Sequence, residues 1–187
     1  MNNPETKKNR RSFILLLFAF ILPIVLAKLA LEQQWFNYGV TNQGQLVEGE
    51  LTLENTGINL PSVAEKQWLM LYVMPDNCQD KCDQVLSGVN NTYIALGKEM
   101  PRVTPVGLFQ QVITPNSLTN IRQQDWQFIK LADTTKQRLQ QNHIYIVDPL
   151  GNIVVSHVIP ENSDAIPAFG KAVVADFKKL LKYSRIG

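Results

Sequence analysis

The run FILLLFAFILPIVLAKLAL, Phe13 to Leu31, constrains this chain more than any other stretch. It is nineteen residues long, has one lysine near its far end, and follows a tail carrying Lys7, Lys8, Arg10 and Arg11. A helix that crosses a bilayer needs roughly 20 apolar residues, and Lys28 can extend its ammonium to the interface, so the segment fits a single pass. A helix apolar on all faces behind four basic residues would make a poor core helix. A cleaved signal peptide is the competing reading, because VLA before Lys28 passes the small-residue cleavage pattern. With the anchor retained, the positive tail stays in the cytoplasm and everything after Leu31 lies across the membrane.

The anchor also accounts for the charge. The chain is net +2; residues 1–31 hold five basic residues and one acidic, or +4, which leaves −2 on the remainder. The pI near 8.5 therefore reflects the topology signal. No nucleic-acid partner is expected, since that would need a basic patch on the folded part. About 155 residues follow Leu31, enough for one domain with its own core. The chain divides into a basic tail (1–12), a transmembrane helix (13–31), a lead-in (32–60) and a folded domain (61–187). The single sequon NNT at Asn90 is of the kind that arises by chance.

Within the domain, KQWLMLYVMP is the strongest strand signal, an unbroken apolar run of the kind buried on both faces of a sheet. Pro75, Asp76 and Asn77 break it, and a helix follows in which Cys78, Cys82, Val85 and Val89 recur at helical spacing. RVTPVGLFQQVI reads as a second strand, SLTNIRQQ as a short helix, WQFIKL as a short edge strand and TTKQRLQQ as another short helix. HIYIVDPLGNIVVSHV reads as a hairpin around Asp148 to Asn152. Phe169, Val173, Phe177, Leu180 and Leu181 make the apolar stripe of a last helix, with lysines in its final turns. NQGQLVEGELTLEN is an entry strand or irregular lead-in. The order implies an α/β sandwich with its sheet covered on both faces. Thiols where a central strand feeds its helix point to the thioredoxin-like fold, because the helix terminus lowers a thiol pKa.

Cys78 and Cys82 are the chain's only cysteines. Three chemistries are open to them. A redox dithiol suits a compartment beyond the membrane that tolerates disulfides. Four residues apart within a regular helix is near the upper end of the usual ~4.4–6.8 Å Cα range, so a bond forms more easily with Cys78 ahead of the first turn. Two thiolates are also soft ligands for Cu(I), or for Cu(II) if an imidazole joins them. Structural zinc would need four ligands, and His143 and His157 have no zinc-finger spacing. The third possibility is an ordinary core face, since free cysteine packs as a small hydrophobe. A peroxidase reading fits poorly: a peroxidatic cysteine follows a threonine three positions earlier, and here that position is Pro75.

LYVMPDNCQDKCDQVL and IYIVDPLGNIV resemble the Sco copper-chaperone branch of the thioredoxin-like proteins. NYGVTNQGQL, the two cysteines, ALGKEMPRV, IYIVDPLGNIV and DFKKLLKYSRIG together resemble a smaller group of single-pass bacterial proteins associated with cytochrome oxidase. The resemblance implies a thioredoxin-like domain on the periplasmic side of the inner membrane. It further implies an assembly role for cytochrome c oxidase, with its subunits or assembly factors as partners and copper as a candidate ligand. Sco proteins supply a third copper ligand, a histidine some eight residues ahead of the Asp-Pro pair. Here Gln140 holds that place and His143 lies three residues later. Asn142 falls roughly where redox thioredoxins carry a cis-proline.

The site expected from these readings is Cys78 and Cys82 as the reactive pair, with His143 either a third metal ligand or a surface residue at the start of its strand, and His157 on the plain surface. The function expected is disulfide reduction or Cu(I) delivery at oxidase copper-site cysteines. A non-catalytic scaffold binding oxidase subunits and a general periplasmic thiol-disulfide oxidoreductase are the alternatives.

Overall fold

The computed structural model describes residues 4–32, 42–47, 49, 51–76, 80–110, 125–132 and 138–184, with backbone alone for 4–9, 31, 63 and 80–83. The chain separates into two compact units, 1–41 and 42–187. In the first, α1 (Pro4–Glu32) contains Arg10–Ala30, 21 residues with an 18-residue window of mean hydropathy 2.7, long and apolar enough to cross a membrane.

The second unit is built on a sheet of six described strands: β1 (Gln45–Leu46), β2 (Trp68–Val73), β3 (Val103–Phe109), β4 (Gln127–Lys130), β5 (His143–Val147) and β6 (Ile153–Val158). Their spatial order is β1-β6-β5-β2-β3-β4. β2, β3 and β4 are parallel neighbours; β5 runs antiparallel to β2, and β6 and β1 continue antiparallel beyond it. The unbroken apolar run is thus a central strand, with all six residues of β2 buried.

Alternation along β2 and β5 feeds two cores. Trp68, Met70, Tyr72, Ile144 and Ile146 face α3 (Asp80–Ile94) and α4 (Ile166–Tyr183), which contribute Leu86, Val89, Val173, Phe177 and Leu181. Leu69, Leu71, Val73, Tyr145 and Val147 face the other way, under Leu53 of α2 (Leu53–Thr56), Ile58, Ala64, Leu131 and Leu139. One face therefore carries both of the long helices described in this unit, and the described cover of the other is a short helix and coil. The two long helices pack where glycine permits it. A Cβ on Gly170 would lie 2.6 Å from Thr92 Oγ1, and one on Gly88 would collide with Ile166.

Two boundaries differ from the sequence reading. The compact unit starts at Asn42, not at 61, because Gln45–Leu46 pairs with β6 and Leu53 is buried in the core. The helix read over TTKQRLQQ does not extend through 138–141, which are turn and coil; the earlier part of that helix, and the one read over SLTNIRQQ, lie outside the described residues. Asn90 is buried and accepts a hydrogen bond from Trp126 Nε1 at 3.1 Å, so its sequon is not presented to solvent.

Candidate functional site

β2 ends at Val73, and α3 is described from Asp80, with Cys82 its third residue. Position 82 precedes Leu86 by four and Val89 by seven, which places it on the sheet-facing side of α3. Cys78 and the side chain of Cys82 lie outside the described residues.

The described residues that follow β2, Met74 to Asp76, are tied to neighbouring strands and loops. Met74 N–H donates to the Leu108 carbonyl at 2.9 Å, and Asp76 N–H donates to Gln141 Oε1 at 3.3 Å. Asn142 N–H donates to the carbonyl of Val73, the last residue of β2, at 2.8 Å. Asn142 has a left-handed backbone, φ 57°, which asparagine tolerates better than most residues. Its Nδ2 donates to the Ile159 carbonyl at 3.1 Å, and Ile159 N–H donates back to the Asn142 carbonyl at 3.0 Å. The place read as that of a cis-proline is therefore filled by a left-handed turn, and no cis peptide occurs among the described residues.

His143 opens β5 and is paired with Val73, at the sheet end where β2 delivers the cysteines. Its Nδ1 lies 2.7 Å from the Gln141 carbonyl. A proton on Nδ1 donates to that carbonyl and leaves the Nε2 lone pair for a ligand, the usual way a metal-binding imidazole is held. The ring, however, stacks on Tyr145 at 5.8 Å between centroids and 19° between planes. Tyr145 belongs to the core opposite α3, so His143 and position 82 flank the sheet end from opposite faces. Among the described residues no group of three His, Cys, Asp or Glu side chains could hold a metal.

Two features escaped the sequence reading. Tyr72 is fully buried on the α3 face, and its hydroxyl has no hydrogen-bond partner among the described residues. Burial drives its pKa upward, so it stays a protonated donor. Within an apolar run a tyrosine reads only as core.

The other feature is His157, which is 5% exposed and not a surface residue. Its Nε2 lies 3.0 Å from Oδ2 of Asp176. The Asp176 carboxylate, itself 1% exposed, accepts from Gln43 N–H at 2.8 and 3.0 Å and from Gly44 N–H at 2.8 Å. Burial lowers the His157 pKa, and Asp176 opposes that by charge and contact. The pair forms a clasp that holds the start of the domain against α4 and β6. The signal was present: Ile153, Val155 and His157 share the buried phase of β6, and Asp176 follows Val173 by three on the buried stripe of α4.

Comparison with known proteins bears on this architecture. The model of the family described as transmembrane-like, thioredoxin-like, C-terminal domain matches residues 68–184, from the first residue of β2 to just past α4. The chain belongs to this family. Its second unit is a thioredoxin-like domain, and the match covers the whole run from the central strand to the last helix. Among solved structures it is similar to yeast Sco1 with copper bound, at 15% identity and a TM-score of 0.49 over 78% of this chain and 96% of that one. Apo Sco1 from Thermus thermophilus matches at 14% identity and 0.45, over 77% and 99%. The thioredoxin domain of a Bacteroides vulgatus thiol-disulfide oxidoreductase matches at 15% and 0.42, over 73% and 90%. No curated protein sequence matches this chain.

Proposed function

We propose that this chain is a membrane-anchored assembly factor for cytochrome c oxidase, with its thioredoxin-like domain in the periplasm and Cys78 and Cys82 acting on the copper-site cysteines of an oxidase subunit. The observation that supports this reading most is the junction of β2 and α3. The central strand ends at Val73, five positions before Cys78, and α3 is described from Asp80, with position 82 its third residue. Unpaired N–H groups at a helix amino terminus favour a thiolate, and of the two cysteines Cys78 is nearer to that end in the sequence.

The reaction is thiol–disulfide exchange. The Cys78 thiolate attacks one sulfur of a client disulfide, forms a mixed disulfide and expels the other client sulfur as thiolate. Cys82, deprotonated, attacks Cys78 Sγ and releases the second client thiolate. The client gains two electrons and two protons; the chain is left with a Cys78–Cys82 disulfide, which a dithiol reductant must reopen. Cu(I) passed as cargo between the two thiolates and the client is the second reading, since two thiolates are soft ligands that suit Cu(I) without a third group.

The test mixes the reduced full chain with an oxidised two-cysteine peptide copying the oxidase copper-site loop. The expected result is a peptide two hydrogens heavier and a chain two hydrogens lighter by mass spectrometry, with neither change in Cys78→Ser. Absence of exchange while both thiols react with a small maleimide would refute the redox step.

A further inference from the structure

The outer seam between α3 and α4 is an open groove. Its central part is a cavity of about 490 Å³ lined by Gly88 and Ala95 from α3 and by Ile166, Gly170, Val174 and Ala175 from α4. It continues past Ile166 toward Ser163 at one end, and past Lys178 toward Leu181 and Lys182 at the other. From Ile166 to Leu181 the groove follows α4 for roughly 22 Å at 1.5 Å per residue, about four helical turns.

The shape selects the occupant. Both walls are helices, whose backbone groups are bonded internally, so an extended peptide would find no edge to pair with. A helix brings its own backbone bonds and lays an apolar stripe into such a groove. Charge selects further. Lys171 and Lys178 are exposed at the rim, neither is in an ion pair among the described residues, and exposed Lys182 follows at the end. Arg102 is already engaged by Glu99 and by the carbonyls of Leu181 and Ser184. A flat lipid surface suits the site less well, because the groove's apolar residues line a depression; of the large apolar side chains exposed in this unit, Leu46, Leu150 and Val158 lie outside α3 and α4, and Ile94 and Tyr183 stand at the ends of those helices.

We infer that the α3–α4 groove docks an amphipathic helix of a partner protein whose apolar stripe is flanked by carboxylates, the carboxylates lying on Lys171 and Lys178. This contact is separate from the thiol chemistry and survives loss of both cysteines.

The test uses the full chain in zwitterionic nanodiscs and a fluorescein-labelled 18-residue peptide with leucine and alanine at helical spacing and glutamate on both flanks. A scrambled peptide of equal composition and anionic phosphatidylglycerol vesicles are the comparison arms. The expected result is saturable anisotropy, at least tenfold weaker for the scrambled peptide and about tenfold weaker for Lys171→Glu/Lys178→Glu. Ala175→Phe, an exposed groove position, should block binding by filling the groove, and unchanged circular dichroism shows both variants folded. Equal binding of the two peptides, or binding indifferent to both variants, overturns the proposal. So does lysine-dependent binding to the vesicles with no binding of the peptide, which would make the groove a lipid surface.

Discussion

Asp176→Ala is the sharpest single perturbation of this domain. The carboxylate accepts from two backbone donors, Gln43 N–H and Gly44 N–H, at 2.8 Å each by its shorter contacts. Hydrogen bonds to charged groups contribute about 1.5–3 kcal/mol apiece. Gln43 is exposed and Gly44 half-buried, so water recovers part of that, and the expected loss is about 2–4 kcal/mol. Asp176→Asn keeps one oxygen and should lose about half as much. Little else holds the start of the domain, since β1 pairs with β6 over two residues. Lys179 Nζ adds a 3.0 Å bond to Asn42 Oδ1, and Val47 N–H donates to Val154 at 3.1 Å. Detachment should therefore be local first.

The pH dependence has a definite sign. Burial holds the His157 pKa below its ordinary 6.5 in the folded state. The unfolded chain then binds the extra proton first as pH falls. Stability is full above about pH 6.5 and declines as pH drops toward the folded pKa, with a slope of at most about 1.4 kcal/mol per pH unit for one proton. Asp176→Asn removes the group that pulls the His157 pKa back up, so the decline should continue to lower pH. Urea titration followed by tryptophan fluorescence, with amide exchange at Gln45–Val47, measures both effects. An Asp176→Ala chain within about 0.5 kcal/mol of the parent, with Val47 still protected, would refute the reasoning.

Val73→Asp places an unpaired charge at a 1%-exposed position between β3 and β5, and should abolish cooperative unfolding or cost about 4 kcal/mol or more; parental urea resistance would contradict the strand assignment. Tyr72→Phe deletes a buried hydroxyl without a described partner, so stability should hold or rise by about 1 kcal/mol, and a fall of that size would mean the hydroxyl is bonded in solution. Alkylation followed against pH should be faster for Cys82→Ser than for Cys78→Ser, because Cys78 is the proposed attacking thiol; equal rates would refute the assignment of roles. His143→Ala should leave Cu(I) affinity within about threefold of the parent, since the imidazole lies on the sheet face away from α3; a hundredfold loss would place it in the ligand set with both thiolates.

Most of the frame was legible because hydrophobic period reports burial directly. The run WLMLYV announced a strand buried on both faces, and the stripe through Val173 and Phe177 announced the helix over it. The hairpin followed from two β-branched runs around Asp148, whose carboxylate accepts from Leu150 and Asn152 N–H at 2.9 and 2.8 Å. A lone histidine on the second strand of a hairpin reads as surface, but the phase of its own strand places His157 inside. Its partner is nineteen positions away, and the backbone it helps hold is more than 130 residues from Asp176. Pairings at that separation leave no local trace. The left-handed turn at Asn142 was similarly hidden, since its bonds run to Val73 and Ile159.

The clasp also bears on where the thiols can work. Gln45 pairs with Ser156, so the residues just before it lie beside the end of β6 that holds His157 and Val158. Val158 pairs with His143, and His143 with Val73. The chain therefore enters the domain at the same end of the sheet at which β2 delivers its cysteines, three strands across, or roughly 14 Å at 4.8 Å per strand. Loosening the clasp, as in Asp176→Ala, would release residues 42–47 from the edge of the sheet at that same end, so the perturbation that tests the clasp also loosens the strand edge beside Val158 and His143.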